Sequence, residues 1–286
     1  MIRRQRFLVQ RVWRSGRATN GIRREAGHYT FVHNQPNPPQ RVPSTSNFRV
    51  ATYNVHRWSG MTGGNRYMPE LAADVIRELD ADVLGLQEVL RPFGPSDPLI
   101  EIAQSQGFHL AFVCTRYHRR GDLGNAILSR WPIASVFAMN LSFGRLEQRS
   151  ALAAILDTPE DEIAVVATHL ALLDLTRRRQ VQSLLRHPRL EDTVVLLGDM
   201  NAWRRCSATR QLDRELTSLH NNSQWPPSFP VQRPVLALDR IYARGAYVEN
   251  LSTFDSPTAR RASDHLPVLA HVRVNGHVVE TPPVRP

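Results

Sequence analysis

Two apolar runs in this chain stop abruptly at a carboxylate, and each follows, one helix later, a strand that itself ends in a polar residue. In the first unit Ala51-Thr52-Tyr53-Asn54-Val55-His56 leads through a helical stretch to Val83-Leu84-Gly85-Leu86 and ends in Gln87-Glu88. In the second Ala167-Thr168-His169-Leu170 leads to Val194-Val195-Leu196-Leu197 and ends in Gly198-Asp199-Met200-Asn201. The separations match closely, 34 residues from Asn54 to Glu88 and 30 from His169 to Asp199. A carboxylate at the end of a buried strand is costly unless it is solvated, paired or bound to a metal. Taken singly, each acid reads as a turn residue or helix cap. Two such units facing each other would instead gather Asn54, Glu88, His169 and Asp199 at one edge of a two-sheet sandwich, a constellation of metal and phosphate ligands.

The rest of the pattern agrees with a layered body. Candidate strands cover Phe48 to Val55, Asp82 to Leu86, Ala126 to Leu128, Ser150 to Leu156, Glu162 to Thr168, Thr193 to Leu197, Leu236 to Tyr242 and Leu266 to Val274. Candidate helices cover Pro69 to Leu79, Leu175 to Leu185 and Ala208 to Leu219, the first with Leu71, Val75, Ile76 and Leu79 on one face. This is too strand-rich for a helical bundle and lacks the regular alternation of a βα barrel, so an α/β layered fold is expected. With 42% hydrophobic and 22% charged residues in 286, the chain has material for a sizeable core, which excludes a disordered or collagen-like protein. The expected divisions are an Arg-rich tail over 1–33, a Pro-rich linker over 34–47, one domain over 48–275 and a C-terminal tail over 276–286.

A net charge of +10 suggests nucleic acid until its distribution is examined. All 36 basic residues are Arg, and eight of them precede the first acid, Glu25, leaving 28 Arg against 26 acids in the remainder. The body is therefore near neutral, and the absence of Lys is explained more simply by coding bias than by phosphate binding. Residues 1–24 share their composition with mitochondrial transit peptides and equally with a plain basic tail; a cytoplasmic location is expected, with a mitochondrial one as the alternative in a eukaryote. Cys114 and Cys206 form no zinc or redox spacing and read as ordinary reduced thiols. No membrane span or secretory h-region is expected.

Hard divalent cations prefer carboxylate and amide oxygens, and Mg²⁺ takes one or two carboxylates with water and phosphate completing the shell. Glu88 with Asn54 fits that donor type, whereas no His or Cys cluster has zinc spacing. Near the C-terminus Asp239 interrupts the apolar run Leu236-Ala237-Leu238-Asp239-Arg240-Ile241, and Ser263-Asp264-His265 precedes the last strand. An Asp-held His has a fixed tautomer and raised basicity, so Asp239 is expected to orient His265. For either residue alone, a surface His beside an Arg-paired Asp is the simpler reading.

The segments TYNVH, LQE, GNAILSR, THL, GDMN, LDRI and SDHLP, in this order and spacing, resemble the endonuclease/exonuclease/phosphatase superfamily, over residues 48 to about 274. The resemblance implies a four-layer α/β/β/α sandwich of the deoxyribonuclease I type and a Mg²⁺-dependent phosphoester hydrolase, with Mn²⁺ as a substitute metal. It implies that Glu88 is the principal metal ligand, with Asn54 beside it and Asp264 next to the metal. Asp199 and Asn201 would position or deprotonate water and hold the phosphate, His169 would bond a phosphoryl oxygen, and Asp239 with His265 would form a dyad. The general base is left open between Asp199 and His265. In-line attack by water needs such a base, charge neutralisation on the non-bridging oxygens and help for the leaving oxygen, but no covalent intermediate.

Three weaker substrate-side candidates remain. Asn125 borders the site by resemblance or is a simple turn residue, Arg149 contacts phosphate or forms a solvated pair with Glu147, and His56 lines the mouth or caps its strand. Arg177 to Arg179 reads as the solvated face of a helix. The substrate is a phosphoester: a lipid headgroup, a small molecule, or nucleic acid, as for a DNA or RNA endonuclease or exonuclease. A phosphodiester is favoured, and the near-neutral body weakens the nuclease reading. A monomer is expected. An inactive binding module, or a nucleic-acid binder acting through its Arg-rich tail, are the non-enzyme alternatives.

Overall fold

Strand runs of β-branched and aliphatic residues with turn residues at both ends fold as two sheets. In a computed structural model of the chain, residues 29–35, 43–143, 147–160, 162–190, 193–216 and 225–274 are described. The seven-stranded sheet comprises β1 (Thr30–His33), β2 (Phe48–Asn54), β3 (Val83–Pro92), β4 (His109–His118), β5 (Gly121–Ser129), β11 (Ala246–Thr253) and β12 (Val268–Val274), in the order β1-β4-β5-β3-β2-β12-β11. The five-stranded sheet comprises β6 (Ile133–Asn140), β7 (Ser150–Asp157), β8 (Glu162–His169), β9 (Val194–Asp199) and β10 (Asp239–Arg244), in the order β10-β9-β8-β7-β6. Helices α1 (Pro69–Leu79) and α2 (Pro98–Gln106) cover the outer face of the first sheet, and α3 (Asp174–Leu185) and α4 (Ser207–Glu215) that of the second; a short α5 (Ala259–Ala262) packs beside α1.

Three apolar layers hold this α/β/β/α sandwich together. Val50, Val83 and Ile127 from one sheet meet Val165, Leu197 and Ile241 from the other in the central core. Truncating any one of these to Ala would cost about 2–5 kcal/mol. The sheets approach closely at Gly85, where a Cβ would lie 1.7 Å from Leu197 Cδ1. In α1, Pro69 starts the helix without wasting an amide, Ala72, Val75, Ile76 and Leu79 turn inward, and Asp80 ends it in a left-handed conformation.

The two repeating units become the two parallel strand pairs among the described residues. β2 pairs with β3, placing Asn54 opposite Gln87, and β8 pairs with β9, placing His169 opposite Asp199. The ends of β2, β8 and β9 and the bulge of β3 at Glu88 lie at one edge.

Several expectations are corrected. The expected tail of 1–33 includes a strand of the folded body, because Thr30–His33 pairs antiparallel with β4 from Val113 to Leu110. Its conformation is set by the sheet edge it completes, so the folded body extends upstream of Phe48. Residues 1–28 of the expected tail, 36–42 of the linker and 276–286 lie outside the described residues. Arg177 is fully buried, not part of a solvated face, although Arg178 and Arg179 are exposed. Leu175 is exposed, because α3 turns a polar face of Thr176, Arg177 and Gln180 inward alongside Val181 and Leu184. No described helix is long and apolar enough to cross a membrane.

Candidate active site

Local backbone geometry prepares the edge before any side chain acts. Seven non-glycine residues among those described have positive φ, and five of them, His56, Arg57, Trp58, Glu88 and Asn201, surround it. Each such residue costs about 1–2 kcal/mol, and conformations of this kind persist where surrounding structure holds them for function. At Glu88 the cause is a register shift between Leu86 and Val89, which lets the strand aim one side chain away from its alternating pattern. At Gly198, φ is +151° and a Cβ would sit 1.9 Å from the Thr168 carbonyl oxygen, so only glycine brings Asp199 this close to β8.

Asp199 is the centre of a buried polar network. Its Oδ2 accepts from Asn54 Nδ2 at 3.2 Å, a bond that crosses from one sheet to the other, and lies 3.3 Å from His169 Nε2 and 3.8 Å from His265 Nε2. Its Oδ1 accepts the backbone N–H of Asn201 at 2.8 Å. Asp239 stands opposite Asp199 in the β9–β10 ladder, and its Oδ2 meets His265 Nδ1 at 2.7 Å and accepts from Ser228 Oγ at 2.6 Å. The Phe229 ring packs on His265 with centroids 4.8 Å apart, and Ser263 Oγ bonds both the Asn54 carbonyl and the His265 N–H.

The two histidines differ in charge. Burial lowers His169 to about 3, with Arg149 adding to the effect and Asp199 opposing it, so it is neutral. Burial also works against a charge on His265, but Asp239 against its ring, then Asp199 and Asp264, outweigh it and raise it to about 10. His265 is therefore an imidazolium at neutral pH.

Glu88 occupies the more open side. Its side chain is about a quarter exposed and lies 3.3 Å from Arg57 Nε. Asp264 Oδ1 lies 3.3 Å from His56 Nδ1, which also meets the Gly60 carbonyl, and Asn54 Oδ1 accepts the His56 N–H. His56 thus braces the metal-side residues from behind. Glu88, Asp264 and the Asn54 amide oxygen offer hard oxygen donors, two of them on carboxylates not fully enclosed, of the type a divalent cation of the Mg²⁺ class prefers. Asp199, Asp239 and His265 also bring one ligand atom each within 4.8 Å of one another. The 2.7 Å bond between His265 and Asp239 already joins their facing atoms, so this buried trio is a dyad beside a carboxylate.

Beyond Glu88 and His169 a pocket opens that is also lined by Arg116, Asn125, Gln148 and Arg149. Arg149 is paired with Glu147 at 2.7 Å, yet its buried Nε has no partner among the described residues. Asn125 is buried and donates to the Ser150 carbonyl at 2.8 Å, so its amide helps shape the pocket wall.

The candidate site residues Asn54, His56, Glu88, Asn125, Arg149, His169, Asp199, Asn201, Asp239, Asp264 and His265 lie along this edge and the pocket beside it. The sequence reasoning missed Ser228, Ser263 and Arg177. Ser263 stands in SDHLP and was within reach of the motif; Ser228 lies in a proline-rich loop with no local signal. Arg177 Nη1 donates to the carbonyls of Ala171, Leu172 and Asn201 at 2.8, 3.1 and 2.7 Å, fixing the two loops that follow β8 and β9.

A two-sheet sandwich whose parallel strand pairs converge on acids, amides and histidines is the arrangement expected of a phosphoester hydrolase. Residues 51–265 match the Endonuclease/Exonuclease/phosphatase family, and the chain belongs to it. It is an enzyme of that hydrolase class. The uncharacterized protein YbhP of Escherichia coli K12 is 30% identical over 249 residues, which span 79% of this chain and 96% of YbhP. An endonuclease/exonuclease/phosphatase from Beutenbergia cavernae superposes with a TM-score of 0.64 at 23% identity, covering 81% of this chain and 72% of that one. The human nocturnin catalytic domain, solved with a bound sulfate anion, superposes with a TM-score of 0.65 at 19% identity, covering 82% and 97%.

Proposed function

We propose that the chain is a Mg²⁺-dependent phosphodiesterase that cleaves by in-line attack of water on phosphorus. The observation that carries this reading is the network on Asp199, where Asn54, His169 and Asn201 fix a buried carboxylate 3.8 Å from the His265 imidazolium. Glu88, Asn54 and Asp264 would hold the cation, with Mn²⁺ as a substitute, and when bound it supplies charge neutralisation at the phosphoryl oxygens.

The division of labour follows from charge. Asp199 is the group that can accept a proton, so it orients and deprotonates the attacking water. His265 already carries its proton, held by Asp239, and donates a hydrogen bond to the phosphoryl or leaving oxygen. Neutral His169 fixes Asp199 through Nε2, and Asn201 holds Asp199 through its backbone while its side chain ties to the Leu170 carbonyl. Arg149, with its unpartnered Nε, contacts a substrate phosphate from the pocket side, and Asn125 shapes that wall. A monomer acting on a lipid headgroup or small diester, in the cytoplasm, is the form proposed; the bacterial relative favours that compartment over a mitochondrial one.

The test is hydrolysis of bis(p-nitrophenyl) phosphate and nicking of supercoiled plasmid by the full chain across a Mg²⁺ titration. Hydrolysis of the small diester that EDTA and Asp199→Asn both abolish is expected. Activity indifferent to EDTA would refute the metal requirement, and robust plasmid nicking would assign the enzyme to the nucleases.

A further inference from the structure

Single exposed leucines are ordinary on protein surfaces, but four large apolar side chains projecting from two adjacent loops are not. Leu172, Leu173 and Leu175, on the segment after β8, are 67%, 57% and 63% exposed, and Trp203, on the segment after β9, is 57% exposed. These segments follow directly from His169 and Asn201, so the ridge stands beside the catalytic edge. It is also held in place: the buried Arg177 guanidinium bonds the Leu172 and Asn201 carbonyls together, and Arg204 bridges back to Asp174 at 3.2 Å. A hydrophobic surface fixed in position by a buried cation is built to be presented to something.

Charge identifies the partner. Arg204 stacks over the Trp203 ring at 4.8 Å, and the Arg204 and Arg205 side chains are 61% and 75% exposed. Asp174 is shared between Arg177 and Arg204, and Asp213 lies 3.9 Å from Arg205, so three arginines face two carboxylates around the ridge. Apolar side chains rimmed by arginines, with a tryptophan among them, suit the boundary between acyl chains and anionic headgroups, where Trp sits by preference and Arg stems reach back to phosphate. A nucleobase would need a free aromatic face, which Arg204 covers on one side, and three aliphatic side chains offer no stacking surface. A second copy of the chain would bring like charges together.

We propose that the ridge of Leu172, Leu173, Leu175 and Trp203 docks on an anionic phospholipid bilayer, so that the catalytic edge faces headgroup phosphodiesters. The docking stands on the ridge itself; only its consequence for the substrate rests on the function proposed above.

Flotation of the full chain with phosphatidylcholine vesicles, with and without phosphatidylglycerol, tests it. Binding is expected with phosphatidylglycerol and to fall at least about tenfold in a Leu173→Ser/Trp203→Ser variant. Arg204→Gln and Arg205→Gln should each lose about fivefold on the anionic vesicles. Bis(p-nitrophenyl) phosphate hydrolysis should stay at the wild-type rate in all of these. Absence of wild-type binding overturns the proposal, as does binding that the ridge variants leave unchanged, which would place it elsewhere, such as on the N-terminal arginines. Displacement of vesicles by single-stranded DNA with loss of DNA binding in the same variants, or a dimer abolished by them, would also overturn it. If the wild type fails to hydrolyse the soluble diester while vesicle binding holds, the phosphodiesterase reading falls and the docking surface stands.

Discussion

The two strand–helix–strand units share a plan and differ in how they end. The unit of β8, α3 and β9 ends in a closed network: His169, Asp199 and Asn201 are all buried, and Arg177 ties their loops from behind. The unit of β2, α1 and β3 ends open, with Glu88 partly exposed, itself in a left-handed conformation, and paired with Arg57 at the mouth of the pocket. A buried network is fixed before substrate arrives and loses little to reorganisation, whereas an open carboxylate leaves room for a hydrated cation. One frame thus supplies a rigid half for proton transfer and an accessible half for the ion.

If that division is right, the largest effect should come from the rigid half. Asp199→Asn should lower kcat/KM on a diester substrate by about a thousandfold or more with the circular dichroism spectrum retained; a loss under tenfold would break the comparison. Arg177→Leu should destabilise by about 3 kcal/mol, a Tm fall on the order of 10 °C, because it strands the buried Asn201 carbonyl and two part-buried ones, those of Ala171 and Leu172. Equal stability would mean the rigid half does not depend on its brace. Glu88→Gln should raise the Mg²⁺ concentration for half-maximal rate by about ten- to a hundredfold, with stability unchanged to about 0.5 kcal/mol. An unaltered titration would place the ion elsewhere.

The smallest effect belongs to the far edge of the first sheet. His109 on β4 accepts the Gln35 N–H at 3.1 Å, and burial, helped by His33, lowers it to about 4 from 6.5. Its folded form resists protonation that the unfolded chain allows, so stability is intact above 6.5 and is lost as pH falls from there toward 4. His109→Gln should flatten that acid limb in thermal melts; an unchanged limb would show that β1 is held by other contacts.

The units themselves were legible because each buried strand is a continuous apolar run stopped by an acid, a pattern that local chemistry writes into neighbouring residues. Most of the seven motifs were legible for the same reason, lying at strand ends, while LQE sits at the bulge inside β3. β1, β4, β6 and β11 were not: β1, β6 and β11 are edge strands, whereas β4 lies inside its sheet and its apolar run from Leu110 to Cys114 is stopped by no acid. A half-wet strand such as Ala246–Thr253 carries Glu249 and Asn250 where a central one would carry valines. Arg177 was misread because a buried arginine looks like any other in a run of three, and its burial depends on carbonyls brought to it by loops far along the chain. Ser228 gained its place against Asp239 only through the tertiary fold.

The hydrogen bond from Asn54 to Asp199 joins residues 145 positions apart, and the dyad waits on His265, later still. No segment shorter than nearly the whole described body can assemble the reaction centre. Hydrolysis therefore reports on completed tertiary assembly: a chain lacking either sheet has no reaction centre.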